Sequence, residues 1–186
     1  MAEKISILGF AGSLRKKSYN KALLRVAEEL MPENARLEIF DLEGIPPFNQ
    51  DFQDQPPQKV REFKAKIKAA DAILIATPEY NYSIPGVLKN AIDWASRPPT
   101  DNAWEGKPVA IMGASTGRLG TARAQYHLRQ CFVTLDMYPV NYPEVMVPHA
   151  TQNFDETGRL KEEKSRELIA ELLRNLVEWT KKLKQY

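Results

Sequence analysis

The stretch Ala72-Ile-Leu-Ile-Ala-Thr77, ended by Pro78, is the feature that most restricts how this chain folds. It is a continuous apolar run with no polar face, as expected of a strand buried on both sides within a parallel sheet. Helical patterns flank it. Val60, Phe63, Ile67 and Ala70 mark one face of a helix before it, and Leu88, Ala91, Ile92 and Ala95 mark one after it.

The same alternation runs through the whole chain. Ile5–Leu8 is a short apolar run followed by Leu23, Val26, Ala27 and Leu30 at helical spacing. Arg36–Asp41 alternates apolar and polar, which predicts a strand with Leu37 and Ile39 inward. Pro108–Met112 reads as a strand, and Leu128, Cys131, Phe132 and Leu135 as one face of the next helix. Weak strand signals at Tyr138–Asn141 and Val145–Val147 are interrupted by Pro139, Pro143 and Pro148, so the last strand belongs at an edge. Ile169, Leu172, Leu173 and Leu176 mark the closing helix. Leu42 to Gln58 holds four of the 13 prolines and reads as a long surface loop. Five alternations predict an α/β fold: a doubly wound, five-stranded parallel sheet of order 2-1-3-4-5 with helices on both faces. With 186 residues, and no linker or repeat to divide them, 1–186 reads as a single domain.

Sheets of this kind bind ligands beyond the carboxyl ends of their strands, where strand order reverses. Three unusual loops fall at that edge. Gly9–Asn20 opens a helix and carries Ser13, Arg15, Ser18 and Asn20, donors without competing negative charge. Together with the N–H groups and dipole of the helix start, they suit a phosphate. The plainer reading makes Ser18 an N-cap only. Pro78–Gly86 offers flat Tyr80 and Tyr82 on a backbone stiffened by Pro78 and Pro85. Gly113–Gly120 combines three glycines with Ser115 and Thr116, which allows close approach of the main chain to a ligand. A mononucleotide with a large planar ring satisfies all three, its phosphate on the first loop and its ring edge on the other two.

The charge balance narrows the remaining classes. The net charge of +2 rests on 26 basic and 24 acidic residues, so nothing argues for nucleic acid or an anionic membrane surface as partner. The single cysteine, Cys131, forms no intrachain disulfide and reads as a buried, inert thiol in a reducing compartment. Glu3 and Lys4 precede an apolar run too short for a signal peptide, and no stretch approaches the roughly 20 apolar residues of a membrane span. The cytoplasm is the expected location. His127 reads as a packing or interface residue and His149 as an exposed loop residue. No metal site is assigned.

Gly12-Ser-Leu-Arg-Lys-Lys-Ser-Tyr-Asn20 and Pro78-Glu-Tyr-Asn-Tyr-Ser-Ile-Pro-Gly-Val-Leu-Lys-Asn-Ala-Ile-Asp-Trp94 resemble the two signature stretches of the NADPH-dependent FMN reductase family, in its bacterial quinone and chromate reductase branch. The likeness extends through Gly106–Val109 and Ala124–Gln130 to about Pro148. It implies a flavodoxin-like fold, bound FMN, and NADPH or NADH as electron donor. Electrons would pass by a ping-pong sequence to quinones or other small acceptors such as chromate, azo compounds or ferric complexes. By position it implies that Ser13, Arg15, Ser18 and Asn20, with Tyr19 beside them, hold the phosphate. Pro78, Glu79, Tyr80 and Asn81 would lie along the ribityl chain and ring, and Ser115, Thr116 and Gly117 near the ring's other edge. Gly120 is followed by Thr121 where the family often has a second glycine. No side-chain acid or base is required by such a scheme, and none is assigned. Related reductases are dimers or tetramers, which places Trp94 and Arg97–Pro99 as candidate interface residues and implies a homodimer or homotetramer.

Two rivals belong to other classes. A flavodoxin-type electron carrier would bind FMN without its own NAD(P)H turnover, but such carriers are usually acidic and lack an arginine in the phosphate loop. A dinucleotide-binding dehydrogenase would need Gly-x-Gly-x-x-Gly in the first turn, and it is not there.

Overall fold

The computed structural model describes residues 4–185. Its elements follow in order: β1 (Ile5–Ala11), α1 (Tyr19–Glu29), β2 (Ala35–Phe40), α2 (Gln58–Ala69), β3 (Ala72–Ala76), α3 (Gly86–Ala95), β4 (Pro108–Ala114), α4 (Ala122–Leu135), β5 (Tyr138–Pro139), β6 (Val145–Val147), the single turn α5 (Ala150–Asn153) and α6 (Glu163–Leu183). All strand pairs are parallel, in the order β2-β1-β3-β4-β5, with β6 also on β4. The doubly wound sheet is therefore present as expected, with one refinement. The fifth position is shared by two short strands, β5 beside Pro108 and Val109 and β6 beside Met112 to Ala114. Residues 140–144 between them include Pro143, which has no N–H to continue a ladder.

Alternation along the central strands sorts side chains into two cores. Ile5 and Ile7, then Ala72, Leu74 and Ala76, then Ala110 and Met112 face α1 and α6. Leu8 and Phe10, Ile73 and Ile75, Val109 and Ile111 face α2, α3 and α4. Every residue of β3 is buried, which is what its lack of a polar face required. The apolar stripes read for α2, α3 and α6 are all in the core. The expectation for β2 fails at one position. Ile39 is 42% exposed, because β2 is an edge strand and only Ala35 and Phe40 of it are buried.

Two further sequence readings are corrected by burial. Trp94 is only 2% exposed; its indole N–H donates to the Pro46 carbonyl (2.8 Å) and its ring meets Phe48 edge-on. It therefore fixes the long proline-rich loop against α3 and is not an interface residue. Asn90 helps it: the Phe48 N–H donates to its amide oxygen (2.7 Å) and its amide N–H to Pro46 (2.9 Å). Cys131 is half-buried rather than buried, in a hollow of about 400 Å³ between α3 and α4 shared with Lys89 and Asp93. Burial pushes its thiol up, so it stays protonated and inert near neutral pH.

Candidate flavin site

β1, β3 and β4 are neighbours, so their carboxyl ends and following loops meet at the point where strand order reverses. The turn after β1 is shorter than read, because the strand runs on through Ala11 and leaves residues 12–18. Here the two readings of Ser18 prove compatible. Its Oγ accepts from the N–H groups of Asn20 (3.2 Å) and Lys21 (3.4 Å), capping α1. That uses the oxygen's lone pairs, and the O–H remains to donate. Ser13 is built the same way, its Oγ accepting from the Arg15 N–H (3.3 Å). Arg15 is exposed and, among the described residues, pairs with no carboxylate. The first turn of α1 contains no acid. Two free hydroxyl protons, a guanidinium and a helix N-terminus thus converge without a counter-charge.

Asn20 differs from what its motif position implied. Its amide N–H donates to the Ala114 carbonyl (3.0 Å) and its amide oxygen accepts from the Ala114 N–H (2.9 Å). Buried and bonded both ways to main chain, it joins the start of α1 to the end of β4 and so positions the loop between β1 and α1.

The loop after β3 forms a tight hairpin. Tyr80 and Ser83 exchange backbone hydrogen bonds (3.2 and 3.0 Å), with Asn81 (φ 51°) and Tyr82 (φ 66°) both left-handed between them. That is the backbone of a type I′ turn, tolerable for Asn but strained for Tyr. The Tyr80 and Tyr82 side chains stay exposed. Glu79 does the opposite. Its side chain is 6% exposed while the residue as a whole is half-buried, so what it presents outward is main chain. The carboxylate accepts from the N–H groups of Arg123 (3.0 Å) and Ala124 (3.3 Å) at the start of α4 and pairs with the Arg123 guanidinium. That guanidinium lies over the Tyr82 ring, 3.6 Å from its centroid. The hydrogen bond and charge of Glu79 hold the Arg123 guanidinium firmly protonated.

The third loop also begins later than read, since Gly113 and Ala114 belong to β4. Ser115 Oγ accepts from the Gly117 N–H (3.1 Å), leaving its own O–H free, and Thr116 is exposed beside it. Two of the three glycines are required by packing. A Cβ on Gly113 would stand 1.9 Å from Thr121 Oγ1, and one on Gly120, at φ +58°, would stand 2.8 Å from the Met146 backbone. Gly117 alone of the three has room, a Cβ there meeting nothing nearer than Ser115 Oγ at 3.6 Å.

Ser13, Arg15, Ser18, Tyr19, Asn20, Pro78, Glu79, Tyr80, Ser115 and Thr116 line one cavity of about 170 Å³, with Ala114 as an addition the motifs did not indicate. Asn81 and Gly117 lie just outside that lining, within the same loops. Arg123 was missed too, because Thr121 reads in sequence as the N-cap of α4 and only the structure shows that it makes no capping bond. The cavity is smaller than the roughly 300–1,000 Å³ that encloses a whole ligand. Its size and its hydroxyl, guanidinium and amide lining suit a small anionic group rather than a whole mononucleotide. His127 is exposed and shares a hydrogen bond with Ser83 (3.0 Å), and His149 is exposed.

Comparison with known proteins agrees with this fold. The model of the NADPH-dependent FMN reductase family matches residues 5–152. An NAD(P)H-dependent FMN reductase of Pseudomonas aeruginosa is 54% identical over 185 residues, spanning 99% of this chain and 100% of that protein. A 2-hydroxy-1,4-benzoquinone reductase of a Burkholderia species is 41% identical, spanning 97% of this chain and 98% of that protein. Among solved structures, the flavoenzyme NAD(P)H:(acceptor) oxidoreductase FerB from Paracoccus denitrificans superposes with a TM-score of 0.85 at 35% identity, over 96% of this chain and 98% of that one.

Proposed function

The chain belongs to the NADPH-dependent FMN reductase family, and on that premise we propose that it reduces quinones with NAD(P)H, donor and acceptor using one open slot in turn. The observation that carries the reading is the anion-ready cavity at the strand-order switch point, bordered by a flat and exposed aromatic turn. FMN, when bound, supplies the redox chemistry, taking hydride from reduced nicotinamide and passing two electrons to an acceptor.

The chain's own residues bind and orient. Ser13, Arg15 and Ser18, with the N-terminus of α1, hold the phosphate, and Asn20 sets their position by its hold on Ala114. Tyr19, packed at a tilt against Phe154 (5.2 Å between centroids, 39° between planes), walls the cavity. Main chain from Pro78 to Asn81 faces the ribityl chain and ring, and Ser115, Thr116 and Gly117 face the opposite edge. No titratable side chain is assigned a proton transfer. The slot is open and built largely of main chain and aromatic surface. That suits flat acceptors such as quinones and azo compounds, and leaves room for chromate or ferric complexes. The whole chain acts as one domain carrying one FMN.

The three loops account for one mononucleotide, and no other glycine-rich turn provides a dinucleotide site. Oxidised nicotinamide must then leave before the acceptor enters. Double-reciprocal plots of initial rate at several quinone concentrations should be parallel, with each substrate competing against the other when in excess. Intersecting lines would mean that both are bound together and would reject the shared slot.

Self-association is part of the same reading. Exposed apolar side chains lie in the turn after β3, at Tyr82, and along α4, at Tyr126 and at Val133, which is 84% exposed, and apolar exposure of that kind marks interaction surfaces. A second copy there would shield the open side of the ring from water. Light scattering of the active holoenzyme should give at least twice the chain mass of 21.2 kDa. A monomer mass at full activity would refute it.

A further inference from the structure

The first turn of α4 has a problem that its own sequence does not solve. A helix start leaves N–H groups unpaired, and the N-cap side chain ordinarily takes those of the second and third residues. The N-cap here is Thr121, which is fully buried and makes no capping bond. Its Oγ1 instead accepts from the Gln125 amide (3.0 Å), in the space left by the missing Cβ of Gly113. The N–H groups of Arg123 and Ala124 are taken by Glu79, a residue of the loop after β3 and 44 positions away from Arg123. One carboxylate oxygen receives both of them, and the other pairs with Arg123.

We propose that Glu79 is a positioning residue for the flavin: by capping α4 from the neighbouring loop it fixes the separation of the two loops between which the ring lies. This rests on the reading that FMN occupies this cavity. Apart from the Arg123 contact with Tyr82 and a hydrogen bond between Ser83 and His127 (3.0 Å), the aromatic turn and the start of α4 are joined through β3 and β4, whose ends set the direction of each loop but not the gap between them. With the cap in place both move as one body, and Arg123 extends the hold to Tyr82 at the strained tip of the turn. The phosphate loop lies on the other side of the cavity and takes no part in this contact.

That separation of duties yields a test. Apo-protein of the full chain is titrated with FMN and with riboflavin, which lacks the phosphate. Glu79→Ala should weaken both by about tenfold, from two lost charge-assisted bonds, and leave their ratio unchanged. Glu79→Gln keeps an oxygen for the two N–H groups and should restore both affinities to within about threefold, since the cap is retained. Arg15→Ala should weaken FMN alone. Glu79→Ala with both affinities unchanged, beside an Arg15→Ala that is selective for FMN, overturns the positioning role and leaves the site assignment standing. Loss of FMN but not riboflavin affinity in Glu79→Ala overturns it also. An Arg15→Ala without effect on FMN rejects the site, and the role of Glu79 with it. Wild-type hydrogen exchange serves should Glu79→Ala fail to fold. Saturation with riboflavin should slow the amides of Tyr80 and Ser83 together with those of Arg123 and Ala124, and slowing confined to one loop overturns the coupling.

Discussion

Replacing Arg15 by alanine is expected to weaken FMN binding by about ten- to a hundredfold while leaving the apo-protein as stable as before. A hydrogen bond from a charged donor to an ionised acceptor is worth roughly 1.5–3 kcal/mol, which is that range in Kd. The fold should not notice, because Arg15 is exposed in the turn and, among the described residues, pairs with no carboxylate. Lys16 and Lys17 are exposed beside it and maintain the general positive field, so the loss measures directed bonding rather than charge alone. Arg15→Lys should therefore fall between the two, since an ammonium cannot reproduce a planar fork. Raising the salt should narrow the difference between wild type and Arg15→Ala, as screening weakens what exposed charges contribute. Removal of Ser13 or Ser18 hydroxyls should cost less, about 1 kcal/mol each. An apo-protein titration in which Arg15→Ala binds FMN as tightly as wild type would take the guanidinium out of the site.

How much of this was legible in the sequence depended on how local each signal was. β3 could be read outright, because a run without a polar face has one stable home. The three loops could be found because each follows a strand and its residue types are unusual there. Ile39 was misread because alternation tells which residues share a face, and burial of that face depends on what covers an edge strand. Trp94 looked like an interface residue because nothing local reveals that the Pro46 carbonyl lies within reach of its indole. Asn20 and Glu79 stood in the right motifs, and their side chains proved to be bonded to main chain at Ala114 and at the start of α4. Such contacts follow from strand register and helix docking, which no single stretch contains. That Ser18 caps α1 could be anticipated, and since a hydroxyl accepts and donates at once, its O–H stays available. The glycines of the third loop could not, because a glycine needed for packing and one needed for a ligand read alike.

Gly113 is where that ambiguity has the largest consequence, and Gly113→Ala should destabilise the protein by about 3 kcal/mol or more. The added methyl would stand 1.9 Å from Thr121 Oγ1 and 2.5 Å from the Thr77 carbonyl oxygen. The threonine is a side chain, yet it is fully buried and held by Gln125, which also donates to the Val145 carbonyl (2.9 Å). The carbonyl belongs to the backbone just past β3, where the Thr77 N–H donates to Met112 (2.9 Å). Relief thus requires β3 and β4 to part at the edge that supports the cavity. For a chain of this length the cost corresponds to a melting temperature lower by roughly 6–12 °C, and flavin should be lost with it. Thr121→Ala in the same chain should not rescue the variant, because the Thr77 oxygen remains in place. Gly117→Ala is the control: its methyl would meet nothing nearer than Ser115 Oγ at 3.6 Å, an ordinary contact, and the apo-protein should melt as wild type does. Equal melting of Gly113→Ala and Gly117→Ala would show that the strand ends yield easily, and that the glycine at 113 is there for the ligand after all.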